Sequence, residues 1–326
     1  MSILKIAVIN PEKADGLART ILDGLHTLSL SKEVDFRLST AFSYDLRLNE
    51  RVLVRKDFID FASTADCIFL INCKYGVDIA LATAIDRWNK TIFLDGSELG
   101  KNRRYDNAIQ KMVLGGTFEG SGKINKEMFE KASLYFRREK PYLDTIIPLP
   151  FGIENKYISY QQGKTKKDID FFCVFGQEEY PPLRKLARER LEDFCVKNGF
   201  SFHTSKTSSS EEFYALLARS KVAISVGGGG YDTMRFWEIL GNNCILLTET
   251  IDIYHPDGDA LKYDRIHPFI NLYDLEYQLN KMGHFLRNGY DEKKVIFEYE
   301  QILKKHSSVA RVREVLQRAR DKKLIA

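Results

Sequence analysis

The residue types that could do chemistry gather late in the chain, between Gly227 and Glu238. Gly227, Gly228, Gly229 and Gly230 follow the apolar run Val222-Ala-Ile-Ser-Val226. Glycine admits positive φ and lets backbone N–H groups approach a ligand closely. Tyr231 and Asp232 close this loop, and a helix-like segment with Arg235 and Glu238 comes next. A buried strand, a glycine loop and a helix N-terminus together present N–H donors to an anion. A guanidinium can neutralise a diphosphate through two parallel bonds, and a carboxylate can accept two hydrogen bonds from a ribose diol. Arg235 and Glu238 lie three apart, hence on one helix face. A surface ion pair would also explain that spacing. Yet Phe236, Trp237, Ile239 and Leu240 make the rest of the segment apolar, so charges on it must emerge at an end or into a cleft. Arg184 and Lys185, after the loop 176–182, are further candidates for phosphate contact.

Alternating strands and helices supply the frame for these residues. The first half predicts strands at 5–10, 66–72, 91–95 and 133–137, with helices at 14–28, 56–63 and 77–88. The second half predicts strands at 169–175, 200–203, 222–226, 244–248 and 268–272. Its helices are 182–198, 210–218, 233–240, 275–288, 292–305 and 308–322, with Gly241 and Gly289 as stops. Such βαβ alternation implies parallel sheets. The polar, glycine-rich stretch 99–126 reads as a lid or binding loop. Residues 148–152 form a rigid proline connector, and the lysine-rich 153–167 reads as a linker. The expected fold is α/β, with two Rossmann-like parallel-sheet domains, 1–152 and 168–326, facing across a cleft. The last helix is a candidate for packing back on the first domain.

The bulk numbers exclude several classes. The chain has 326 residues, 44% hydrophobic and 29% charged, with a net charge of +4. No apolar run reaches the roughly 18 residues of a membrane helix, and the N-terminus reads as a first strand, not a signal peptide. Cys67, Cys73, Cys173, Cys195 and Cys244 are an odd number at unrelated spacings. They are expected to be single thiols in a reducing cytoplasm. The basic excess is mild, which argues against nucleic acid. Its late concentration, Lys304-Lys305-His306 and 311–323, suits a solvated face or a peripheral membrane contact. His203, His255 and His267 have no metal-ligand spacing.

A family resemblance rests on several of these segments. Arg235-Phe-Trp-Glu238, followed by Ile-Leu-Gly-Asn-Asn-Cys-Ile-Leu-Leu-Thr248, resembles the Arg-x-Phe-Glu…Gly…Leu-Leu-Thr segment of glycosyltransferases with the two-Rossmann-domain (GT-B) fold. The closing stretch 275–316, with Arg287-Asn-Gly289, Tyr299, His306-Ser307 and Arg311-Val-Arg-Glu-Val-Leu316, is similar to the CgeB-type, spore-maturation-like branch of the group 1 glycosyl transferases. Tyr135-Phe-Arg-Arg-Glu139, Ile147-Pro-Leu-Pro-Phe-Gly-Ile153 and Lys167-Asp-Ile-Asp-Phe-Phe171 resemble that branch's domain junction. The likeness covers roughly 130–318, and covers the first domain only as a fold.

The resemblance implies a metal-independent transferase, without cofactor, that moves a sugar from a nucleotide-sugar donor to an acceptor hydroxyl. That acceptor would be a glycan, a lipid-linked molecule or another hydroxyl, in surface polysaccharide or glycoconjugate synthesis. Glu238 takes the place of the family's nucleotide-binding carboxylate and Arg235 that of its arginine. Gly230 stands where many retaining enzymes carry a second glutamate. That departure favours inversion, although spacing alone does not decide it. Inversion needs a general base near the acceptor. The candidates are Asp15, Asp95 and Glu98, each with a plainer reading as a cap or turn residue. Two rivals stand beside this reading. A nicotinamide or adenosylmethionine enzyme would need a glycine fingerprint after 5–10, where 11–16 offers one glycine. A non-catalytic nucleotide-sugar-binding or assembly protein would keep Arg235 and Glu238 without a working base.

Overall fold

The computed structural model describes residues 3–13, 16–72, 78–97, 124–139, 145–160, 165–179, 181–228, 230–250 and 261–326. The chain divides into two compact units. One is built on Met1–Gly152 and Ser307–Ala326, the other on Ile153–Asp252 and Pro256–His306.

The first unit holds β1 (Leu4–Ile9), α1 (Gly16–Leu30), β2 (Val34–Leu38), α2 (Arg55–Thr64), β3 (Cys67–Asn72), α3 (Ile79–Ile85), β4 (Thr91–Asp95), α4 (Lys126–Lys131), β5 (Leu134–Arg137) and β6 (Ile147–Pro148). Its strands form a six-stranded parallel sheet in the order β2-β1-β3-β4-β5-β6. The central strands β1, β3 and β4 are almost wholly apolar because helices cover both faces of a parallel sheet. Ala7, Phe58, Leu70, Phe93 and Met128 pack in one shared core. Sequence periodicity missed β2. This edge strand alternates buried Val34, Phe36 and Leu38 with half-buried Asp35 and Arg37, so its charges break the apolar run.

The second unit holds α5 (Asn155–Ser159), β7 (Ile169–Phe172), α6 (Leu183–Asn198), β8 (Phe202–His203), α7 (Ser210–Ala218), β9 (Ser220–Ser225), α8 (Met234–Gly241), β10 (Ile245–Glu249), β11 (Ile266–Phe269), α9 (Leu272–Asn288) and α10 (Glu292–His306). The five-stranded sheet runs β11-β10-β9-β7-β8, again parallel, with β9 in the centre. Phe171, Leu191, Ile224, Leu247, Leu279 and Met282 form its core. The final helix α11 (Ser308–Asp321) belongs to the first unit, where it lies along α1. There Ser308 Oγ donates to Asp23 at 2.5 Å, and Arg311 Nε donates to the Phe151 carbonyl at 3.1 Å.

Two local expectations need correction. Residues 153–160 are not free linker. Ile153 and Tyr157 are buried, and α5 packs on α8. The polar letters around them hid an apolar pair four residues apart. Buried Lys167 is likewise anchored, its Nζ donating to the Asn242 carbonyl at 2.7 Å. The second correction concerns the helix stop at Gly241. Gly241 is the last residue of α8, Asn242 caps it, and Asn243 takes the left-handed turn at φ 56°. Gly241 is needed instead for close approach, since a Cβ there would sit 2.8 Å from Tyr157 Cβ. Gly289 does stop α9, as its C-cap, with φ −145° and its N–H donating to the Phe285 carbonyl.

Candidate nucleotide site in the second unit

The parallel ladder fixes where the candidate residues emerge. β9 and β10 pair with Ser225 opposite Thr248, so the glycine loop and Glu249 leave the sheet side by side at its C-terminal edge. Ligands of open parallel sheets bind at that edge. The loop closes on itself, with the Gly228 N–H donating to the Gly230 carbonyl at 2.9 Å. The Gly227 N–H donates to Glu249 Oε2 at 3.0 Å. This corrects the picture of an open cradle, because these two N–H groups already have acceptors. Gly229 lies outside the described residues.

After the loop, Thr233 caps α8 with extended φ and ψ but without a side-chain bond to the helix, its hydroxyl lying 3.3 Å from Ser225 Oγ instead. Arg235 and Glu238 then fall on one helix face, as their spacing predicts. Arg235 Nη1 lies 2.9 Å from Glu238 Oε2, with both side chains about nine-tenths covered or a little less, at 16% and 12% exposure. Tyr214, on α7, donates to Glu238 Oε1 at 2.8 Å. The Arg235 guanidinium lies over the Phe213 ring, 4.0 Å from its centroid. Glu238 is therefore pre-positioned by a cation and a phenol, both of which can exchange for ligand groups.

Arg184, in the first turn of α6, joins this group. Its Nη1 donates to the Gln177 carbonyl at 3.0 Å, and a Cβ on Gly228 would come within 2.9 Å of its Nη2. The loop runs against the tip of this flexible side chain, so a larger residue at 228 would have to displace the guanidinium. Burial, then the nearby Arg235 charge, push the Arg184 pKa below its ordinary value, while Glu249 opposes them. Nε of both Arg184 and Arg235 is buried without a hydrogen-bond partner among the described residues. The group thus holds two guanidiniums with unused donors, which suits an anion with several oxygens.

Other candidates are placed differently. Lys185 pairs with exposed Glu179 at 3.7 Å and does not join the group. Asp232 is fully buried and accepts from Trp237 Nε1 at 2.7 Å, so it braces α8 and does not reach for a donor. Tyr231 is half-buried. In the first unit, Asp95 is fully buried. Its carboxylate accepts from Asn72 Nδ2 at 3.1 Å, from the Ser97 N–H at 3.0 Å and from the Tyr135 hydroxyl, with Arg137 3.9 Å away. That makes it a structural hub of the first unit. Asp15 and Glu98 lie outside the described residues, as do His255 and the stretch 99–123.

Sequence reasoning missed Glu249 and Tyr214. A charge directly after the apolar run 244–248 is a readable signal for Glu249. Tyr214 gave none, because a tyrosine on an apolar helix reads as core. A separate groove of about 780 Å³ in this unit is lined by Ile245, Arg265, His267, Met282, Phe285 and Phe297 among others, and by none of the donor-site residues. It starts at Ile245, the end of β10 remote from Glu249. Among the described residues no His, Cys, Asp and Glu group is placed to hold a metal ion, and no helix is long and apolar enough to cross a membrane.

The sequence matches no protein-family model, and no curated protein compared with it matches significantly. Solved structures match in shape. HepE from Anabaena, in complex with UDP and glucose, superposes with TM-score 0.56 at 10% identity, covering 98% of this chain and 100% of that one. A glycosyltransferase from Rickettsia africae gives 0.52 at 10% identity, covering 99% of each chain. An alpha-glucosyltransferase in complex with UDP-glucose and DNA containing an abasic site gives 0.53 at 8% identity, over 94% and 95% of the two chains. The fold is GT-B. At such identities the GT-B likeness establishes architecture alone, and nothing in it singles out the CgeB-type branch.

Proposed function

We propose that this GT-B chain is a glycosyltransferase that takes a sugar from a nucleotide-activated donor to an acceptor hydroxyl. One observation carries the proposal. Arg184, Arg235 and Glu238 converge beside a glycine loop at the C-terminal edge of the second unit's sheet. Structural neighbours with this fold were solved with UDP or UDP-glucose.

In this reading the two guanidiniums take the diphosphate and stabilise it as it leaves. Glu238 turns from Tyr214 to the ribose diol. The charge a metal would bring is supplied by arginine, so the reaction is metal-independent and needs no cofactor. Gly230 in place of a second glutamate supports inversion. The acceptor is a glycan, lipid-linked or other hydroxyl in surface polysaccharide or glycoconjugate synthesis. Four cysteines, Cys67, Cys173, Cys195 and Cys244, are buried free thiols, which fits a cytoplasmic setting, with peripheral membrane contact where the acceptor is lipid-linked.

A second reading has its own observation. Asp95, the one base candidate among the described residues, is taken up by its donors. A protein that binds nucleotide sugar without transferring it would look the same. Calorimetric titration with UDP and UDP-glucose, paired with an assay of UDP release from a sugar-nucleotide panel, separates the two. Binding with release supports transfer, and binding without release supports the second reading. Glu238→Ala is expected to weaken UDP binding more than about tenfold, or roughly 1.4 kcal/mol, since a hydrogen bond to a charged group is worth about 1.5–3 kcal/mol. Unchanged affinity in the folded variant removes Glu238 from the donor site.

A further inference from the structure

We propose that Glu249 is a specificity-determining residue of the donor site: its carboxylate holds the place that a donor phosphate oxygen takes on binding. This rests on the donor-site reading above. The parallel register of β9 and β10 sets Glu249 next to the start of the glycine loop. Its Oε2 accepts the Gly227 N–H at 3.0 Å. A phosphate oxygen would make the same charge-assisted bond to the same donor.

The local charges support displacement over coexistence. Arg184 and Arg235 face Glu238 and Glu249, two cations against two anions. A diphosphate drawn to the two guanidiniums meets repulsion from the two carboxylates, and that repulsion falls when one of them swings out. Glu238 bonds to Arg235 and Tyr214 and takes no N–H of the glycine loop in the contacts found among the described residues. Glu249, half-buried at the end of its strand, is the carboxylate that occupies a backbone N–H of the glycine loop, so it is the one a phosphate oxygen would replace. A nucleoside without phosphates brings no group that competes for Gly227. Glu249 therefore sets a threshold that a diphosphate passes and an uncharged nucleoside does not address.

The test compares wild type with Glu249→Gln, Glu249→Asp and Glu238→Ala by calorimetry with UDP, inorganic pyrophosphate and uridine at two salt concentrations. Glu249→Gln is expected to bind UDP and pyrophosphate at least about fivefold tighter and with a steeper salt dependence, because the site is then more positive. Uridine affinity stays the same, and Glu249→Asp, which keeps the charge, stays near wild type. UDP binding by Glu249→Gln alone also supports the proposal. A folded Glu249→Gln that binds UDP no tighter than wild type overturns it. If Glu238→Ala still weakens UDP in that case, the donor site stands and only the Glu249 role falls. If no variant binds UDP or pyrophosphate, both fall.

Discussion

Asp95 and Glu238 are both carboxylates with several partners, and the kinds of partner separate them. Asp95 is fully buried and held by an amide, a backbone N–H and a phenol, beside a buried arginine. Burial, then the Asp95 charge and hydrogen bond, push the Tyr135 pKa far up, so this phenol stays a donor. Removing one member of such a set leaves others desolvated and unpaired. Asp95→Ala is expected to cost about 3–5 kcal/mol in urea unfolding. A variant of wild-type stability that had lost only turnover would instead return Asp95 to the role of base. Glu238 keeps about an eighth of its side chain exposed and leans on partners that a ligand can replace. Spacing alone revealed that Arg235 and Glu238 share a face. It could not reveal that Asp95 is enclosed, because Asn72 and Tyr135 are 23 and 40 residues distant in sequence.

Among the elements, the α1–α11 contact is set by one small residue. A Cβ on Gly24 would lie 2.4 Å from the Ser308 carbonyl oxygen, a backbone atom that cannot swing aside. Alanine gains about 1 kcal/mol of helix propensity over glycine, whereas overpacking costs about 1–3 kcal/mol. Gly24→Ala is therefore expected to be net destabilising, read as a lower urea midpoint. A midpoint at or above wild type would show that the two helices are free to separate. The edge of β7 offers a pH test. Burial by itself raises the Asp170 pKa, but the bonds from Lys221 and Ser201 outweigh it and hold it below 3.8. A depressed folded pKa gives stability that is present above the unfolded value and lost as pH falls through the folded one. Below about pH 4, Asp170→Asn is expected to show a flatter loss of stability than wild type. Equal slopes in an acid titration of unfolding would mean that the ion pair contributes nothing.

Over the whole molecule, the first unit is discontinuous in sequence. Val312, Val315 and Leu316 of α11 are buried there, although they follow the entire second unit. Burying three such side chains is worth roughly 1.5–3 kcal/mol each, comparable with a domain's full stability of about 5–15 kcal/mol. Deleting 307–326 is expected to abolish cooperative unfolding of the first unit, as followed by circular dichroism. A deletion variant with an intact transition would show that α11 is dispensable. The cysteines give a second global readout. Burial pushes the Cys67 and Cys195 thiols up to about 12, and that of Cys173 further. At most one of the five thiols is expected to react with Ellman's reagent at pH 8 before denaturant is added. The fold itself does not name a reaction.

The sequence by itself determined the two α/β halves, the strand–loop–helix that carries Arg235 and Glu238, and the single thiols. Each follows from near-neighbour spacing: apolar runs that suit doubly covered strands, i,i+3 positions on a helix, glycines in a row. Only the tertiary structure decided that α11 completes the first unit, that 153–160 packs on α8, that Asp95 is enclosed, and that Glu249 sits on the glycine loop. Those contacts join residues far apart in the chain, and no local pattern encodes which distant donor will meet a given carboxylate.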